Sequence, residues 1–251
     1  MSGGAPEVLA SRDNPFLKQL RDLEHARGVK KHGLTLVAGD RNVDEALRRA
    51  PELAEAWVSW SKDGVPARLP GGVRRVLVSR ERFVELDFFG TRRPLLLVRV
   101  PEPGVWDGAL EPGATVLVPF QDPENVGAVI RSSCAFGVSR IVLLEEAAHP
   151  FHPKSVRASA GTVFGAPMAH GPSLDSLDPE SVLALSQDGR ALSGIAFPER
   201  FALLPGLEGG GLPERLRAGA VAIPMAGDVE SLNAAAATAV ALFAWRATFG
   251  S

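Results

Sequence analysis

The sequence predicts a two-domain α/β protein whose second domain is built on a mainly parallel sheet. Three observations carry this. From residue 112 onward, short apolar runs bounded by turn residues alternate with helical periodicity, the pattern of strands buried on both faces and covered by helices. Proline and glycine cluster between residues 101 and 113, where periodicity lapses, and mark a linker. Charge also changes sign there: residues 1–100 hold 18 Lys and Arg against 13 Asp and Glu, and residues 101–251 hold 9 against 16. A net charge of -2 thus conceals halves near +5 and -7. A basic half joined to an acidic one is expected where one part meets a polyanion.

In the first domain, residues 15–23 space Leu17, Leu20 and Leu23 along one helical face, 34–38 reads as a strand, and 40–49 as a helix with Val43, Ala46 and Leu47 inward. A strand carrying Trp57 and Trp60, and strands at 73–78 and 95–100, complete a domain of about 100 residues. In the second, strands are expected at 114–118, 140–144, 182–185, 201–204 and 221–223, and helices at 124–136, 154–160 and 232–248. Asp122 fits an N-cap and Pro123 the first helical position of the 124–136 helix; Ser231 is the expected cap of the last helix. The alanine run at 234–237 is apolar all round, so that helix belongs inside the domain or against a partner chain.

Composition narrows the function. With 45% apolar and 22% charged residues the chain buries a core and is not disordered. Its single cysteine, Cys134, cannot form an intramolecular disulfide or a cysteine-rich zinc site. The first ten residues lack a basic start followed by an apolar run, and the most apolar stretch, 234–245, is well short of the roughly 20 residues that cross a bilayer. A cytoplasmic protein is expected, with no membrane partner and no metal; His149 and His152, either side of Pro150, read as loop residues.

Open α/β sheets bind ligands at the carboxyl ends of their strands, and three such loops are unusual. The first is residues 122–127, with Arg131 one turn after Gly127 on the helix that follows; a guanidinium there is placed to meet a phosphate or to pair with Glu124. The second is residues 205–212, four glycines around Glu208, matching neither GxGxxG nor GxxxxGK[ST]. The third is residues 223–233, a strand running through a turn into the alanine helix. Between the first two lies Lys154-Ser155-Val156-Arg157-Ala158-Ser159-Ala160-Gly161, a basic helix start.

These segments, in this order, resemble the SpoU (TrmH-like) branch of the SPOUT RNA methyltransferases. The matching text is Asp122-Pro123-Glu124-Asn125-Val126-Gly127 with Arg131, then 154–161, Gly206-Leu207-Glu208-Gly209-Gly210-Gly211, and Ile223-Pro224-Met225-Ala226-Gly227 with Ser231-Leu232-Asn233. It covers essentially all of residues 112–251. Residues 36–47 look, more loosely, like part of the L30e-like substrate-binding domain carried by many members that act on ribosomal RNA.

The resemblance implies an L30e-like RNA-binding domain at 1–102 and a methyltransferase domain with a deep trefoil knot at 112–251, assembled as a homodimer. It implies S-adenosylmethionine held by Gly206, Leu207, Glu208, Gly209, Ile223, Met225, Leu232 and Asn233, and methyl transfer to a ribose 2'-hydroxyl of ribosomal RNA, without a metal. Arg131 would be the central catalytic residue, helped by Asn125, Glu208, Ser231 and Asn233, with Arg131, Lys154 and Arg157 touching RNA. A guanidinium offers five donors and no acceptor, so Arg131 is read as a phosphate clamp rather than a base. Leu207, where the family more often has a small or polar residue, and a short 212–222 segment motivate the alternative of a non-catalytic RNA-binding or ribosome-assembly protein. An oxidoreductase is supported only by the α/β pattern and a glycine-rich loop.

Overall fold

The computed structural model describes residues 5–62, 64–207, 211–226 and 231–249. They fall into two compact units, residues 1–102 with 149–165, and residues 103–148 with 166–251. The expected domains were continuous; the observed difference is the excursion 149–165, whose Phe151 and Phe164 are both fully buried.

The first unit comprises β1 (Glu7–Leu9), α1 (Pro15–Asp22), α2 (Ala26–His32), β2 (Leu34–Ala38), α3 (Asp40–Arg49), β3 (Ala54–Ser59), β4 (Arg74–Val78), α4 (Arg80–Leu86) and β5 (Leu95–Arg99). Its sheet order is β1-β4-β3-β5-β2, with β5 antiparallel to both neighbours and the other pairings parallel. Leu17 and Leu20 of α1 and Phe83 of α4 meet Leu36, Val58, Val76 and Leu95 of the sheet in one core. Asn14 and Ser79 cap α1 and α4 by accepting backbone N–H bonds. Trp60 lies just past β3, its ring 4.4 Å from that of Phe83.

The excursion carries α6 (Pro153–Ala158). Thr35 of β2 donates its hydroxyl to the Phe151 carbonyl at 2.7 Å, and the Phe151 and Phe164 rings are 5.6 Å apart. Gly161, at φ +80°, approaches α3 so closely that a Cβ would stand 3.0 Å from the Asn42 carbonyl and 3.1 Å from Glu45. Glu45 is held by Arg48 and Arg49 at 2.7 and 2.5 Å, which lower its carboxyl to about 2.

The second unit comprises β6 (Gly104–Val105), β7 (Gly113–Val118), α5 (Pro123–Phe136), β8 (Arg140–Leu143), β9 (Met168–His170), β10 (Val182–Ala191), β11 (Arg200–Leu204), β12 (Val221–Ala222) and α7 (Ala234–Ala247). Its seven strands, ordered β12-β10-β11-β7-β8-β9-β6, are all parallel. Alternation divides the strand residues between two faces. Phe201 of β11 packs on Trp245 of α7, ring centroids 5.9 Å apart, while Leu117, Ala184, Ala202 and Leu204 cluster with Leu174, Leu177, Leu212 and Leu216 from the connections. The last helix starts at Ala234 rather than 232, because Asn233 rather than Ser231 caps it. Its buried side is Ala234, Thr238, Ala241, Leu242 and Trp245; Val240 and Phe243 are exposed on this single chain, so the helix is not enclosed all round.

Candidate active site at the strand ends of the second unit

β7 and β11 are neighbours, with Val116 opposite Leu203, and their carboxyl ends lead into α5 and into the loop beginning at Pro205. Asp122 accepts the Glu124 N–H at 2.9 Å and Pro123 opens α5, as the sequence predicts. The same turn brings in Asn125, which is 94% buried, 6% of its surface remaining exposed. A buried amide requires partners, and its Oδ1 accepts from Asn233 Nδ2 at 3.0 Å. Asn233 uses its other end as the helix cap, its Oδ1 accepting from Ala235 N at 3.0 Å and Ala236 N at 3.2 Å. One side chain thus caps α7 and ties the first turns of two helices together, so the positive ends of both helix dipoles sit side by side.

Arg131 lies on α5 six residues beyond Asn125 and is exposed, while Gly127 between them is buried. Among the described residues Arg131 has no ion-pair partner, Glu124 included. Gly206 runs tightly past β10: a Cβ there would stand 3.0 Å from the Leu185 carbonyl. Leu207 and Ile223 are half-buried, and Met225 and Leu232 leave 38% and 40% of their surface open. Ser231 is exposed two residues before the cap. Glu208 and Gly209 lie outside the described residues.

Lys154 and Arg157 belong to the first unit, on α6, where both are exposed while Ser155 and Val156 face inward. His152 caps this helix by accepting the Lys154 N–H at 3.1 Å. Burial, then the nearby charges of Lys154 and His25, push His152 below the usual imidazole range and keep the accepting lone pair free. His149 accepts the Phe151 N–H at 3.1 Å, giving both histidines turn-forming roles. Among the described residues no group of three or more His, Cys, Asp or Glu could hold a metal.

The resemblance already names Asn125 and Asn233, but no local pattern reveals their pairing, since 108 residues separate them. The fold defines an α/β protein with a parallel sheet, and its strand ends, where Asn125 and Asn233 meet, are the candidate ligand site. More particularly, residues 114–243 match the model of the SpoU rRNA Methylase family, and the chain belongs to that family. It is 47% identical over 242 residues to the ribosomal RNA small subunit methyltransferase G 2 of Syntrophobacter fumaroxidans, covering 94% of this chain but 48% of the relative. The chain therefore spans about half the length of that relative. The 23S rRNA (guanosine(2553)-2'-O)-methyltransferase RlmP of Bacillus subtilis is 27% identical over 245 residues, covering 94% of this chain and 97% of the relative. The crystal structure of an AdoMet-bound rRNA methyltransferase from Sinorhizobium meliloti superposes with a TM-score of 0.80 at 25% identity, over 99% of this chain and all of the other.

Proposed function

We propose that this chain is an S-adenosylmethionine-dependent RNA 2'-O-ribose methyltransferase acting on ribosomal RNA. The observation that carries it is the Asn125–Asn233 bond, which locks two helix starts together, with the exposed Arg131 six residues further along α5. The full-length similarity to a 23S rRNA 2'-O-methyltransferase and to an AdoMet-bound neighbour supports the reading.

The residues present suit a bound S-adenosylmethionine. The Gly206 backbone passes so close to β10 that a Cβ would crowd the Leu185 carbonyl at 3.0 Å, and Leu207, Ile223, Met225 and Leu232 offer partly open apolar surface in the two loops. Glu208 and Gly209 complete this proposed set. Bound there, the cofactor supplies an electrophilic methyl group on a sulfonium. That methyl group would pass to the ribose 2'-oxygen, whose proton would leave to an RNA phosphate or water. Alignment dominates such a displacement. Asn125 and Asn233 are fixed by their mutual bond, and Arg131 clamps a phosphate and stabilises the developing alkoxide with donors alone. Ser231, open to solvent, would orient the ribose or the cofactor, and Lys154 and Arg157 would meet RNA phosphates.

The same reading includes a trefoil knot within residues 112–251, an RNA-binding role for the first unit, a cytoplasmic location and a homodimer. The exposed Val240, Phe243 and Phe249, at 40%, 63% and 58%, support the dimer, because apolar side chains grouped on one helix and its end favour cover by a partner. Among the described residues no helix is long and apolar enough to cross a membrane.

The test is transfer of labelled methyl from S-adenosylmethionine to ribosomal RNA lacking native modifications, with Arg131→Ala alongside and cofactor binding measured separately. Transfer by the wild type, a loss of at least 100-fold in Arg131→Ala and retained cofactor affinity are expected, the loss being that of one transition-state donor. Equal turnover by the variant would remove Arg131 from its role; cofactor binding without transfer to ribosomal RNA or ribosomal particles would favour a binding protein on this scaffold.

A further inference from the structure

The sheet of the first unit gathers its connections unevenly. Ala38 of β2 and Val58 of β3 both stand opposite Leu95, the first residue of β5, and Ser59 of β3 stands opposite Leu77 of β4. The chain therefore leaves β2, β3 and β4, and enters β5, at one end of the sheet. Just beyond these points lie Arg41, Lys62, Arg80, Arg92 and Arg93, all exposed. Arg93 is 3.8 Å from Asp40, Asp44 is paired with Arg68, and Glu81 is exposed nearby; Arg41, Lys62, Arg80 and Arg92 have no ion-pair partner among the described residues. At the other end of the sheet two strand cations are neutralised, Arg74 by Glu7 at 2.7 Å and Arg99 by Glu55 at 3.2 Å, while Arg75, half-buried on β4, has no ion-pair partner among the described residues.

One of these cations is held in an unfavourable backbone conformation. Arg92 has φ +53°, a left-handed value that residues with a Cβ avoid. It is fixed by Asp87, which accepts the Arg92 N–H at 2.6 Å and the Thr91 N–H at 3.2 Å. Glycine would make this turn without strain, as it does two residues earlier at Gly90, φ +66°.

We infer that this rim, centred on Arg41, Arg80 and Arg92 with Lys62, is the surface through which the first unit grips the sugar-phosphate backbone of RNA. It deepens the proposed function and rests on RNA being the substrate. The aromatic side chains nearby, Trp60, Phe88 and Phe89, are half-buried and pack against the core. The rim's contribution is electrostatic: indifferent to sequence, and weakened by salt through counterion release.

The experiment uses the full chain and unmodified, deproteinised ribosomal RNA. Binding is measured from low to moderate salt for the wild type, for Arg41→Ala/Arg80→Ala/Arg92→Ala, and for Arg27→Ala/Lys30→Ala on the exposed side of α2; methyl transfer is followed in parallel, with urea unfolding confirming the fold. The rim variant should bind roughly tenfold or more weakly at low salt, with a slope of log affinity against log salt shallower by about two to three, close to one per lost phosphate contact. Its KM for RNA should rise with kcat retained at saturation, and the α2 variant should change little. An unchanged slope in the rim variant, with wild-type transfer intact, overturns the rim alone. No RNA binding by the wild type overturns both the rim and the reading it rests on.

Discussion

Replacing Phe151 with alanine tests how the excursion 149–165 is held. The ring is fully buried, lies 5.6 Å from Phe164, and follows the backbone into a carbonyl that accepts from Thr35. A buried phenylalanine removes on the order of 150–200 Å² from water, which at about 25 cal/mol per Å² is about 4–5 kcal/mol. Measured costs of Phe→Ala in cores run from about 3 to 5 kcal/mol, the upper end where the cavity cannot collapse. Collapse is restricted here, because Gly161 already sits at contact distance from Asn42 and Glu45. Phe151→Ala should therefore lower the stability of the first unit by about 3–4 kcal/mol, read from the urea midpoint at constant slope. Thr35→Val should cost about 1–2 kcal/mol by leaving the Phe151 carbonyl unpaired. The two losses should not add, since both act on one docked segment. A Phe151→Ala protein within about 1 kcal/mol of wild type would refute the docking argument.

Two further predictions follow from side chains with paired duties. Asn233→Asp keeps the oxygen that caps α7 but sets an acceptor against Asn125 Oδ1, so it should lower stability by about 1–2 kcal/mol and sharply reduce methyl transfer, whereas Asn233→Ala should lose about 1 kcal/mol more through the cap; urea unfolding of both variants checks the order. His152 is lowered by burial and by Lys154 and His25, so between its folded value and the ordinary 6.5 the unfolded chain binds the extra proton. Its stabilising contribution is complete above about 6.5 and declines as pH falls below that. His152→Asn, which retains an acceptor for the Lys154 N–H, should flatten that part of the stability-versus-pH curve, and an unchanged slope would exclude His152 as its source.

Regular elements with strong apolar periodicity were legible in the sequence. The strands 34–38 and 201–204 and the helices around 15–22, 40–49 and 123–136 are where burial and turn chemistry agree. Elements with little apolar signal were not. Ala26–His32 buries only Gly28 and Val29, and Gly104–Val105 and Met168–His170 are too short for alternation to register. Order-dependent features, such as the excursion into the first unit and the Asn125–Asn233 bond, depend on which segments meet in space, and one-dimensional spacing contains no such information. The site motifs were legible for a different reason: each concentrates chemically unusual residues at a strand end. Asn233 rather than Ser231 is the cap: serine at a helix start and asparagine two residues later satisfy the same rule, and only the backbone decides between them.

The most direct test of the proposed chemistry is where the methyl group ends up. Alkali cleaves RNA through the neighbouring 2'-hydroxyl, so a ribose methylated at that oxygen protects its own phosphodiester bond. Ribosomal RNA labelled by this protein from S-adenosylmethionine and digested with alkali should release the label in an alkali-resistant dinucleotide, absent when Arg131→Ala replaces the wild type. Label recovered in mononucleotides would place the methyl group on a base and contradict the account.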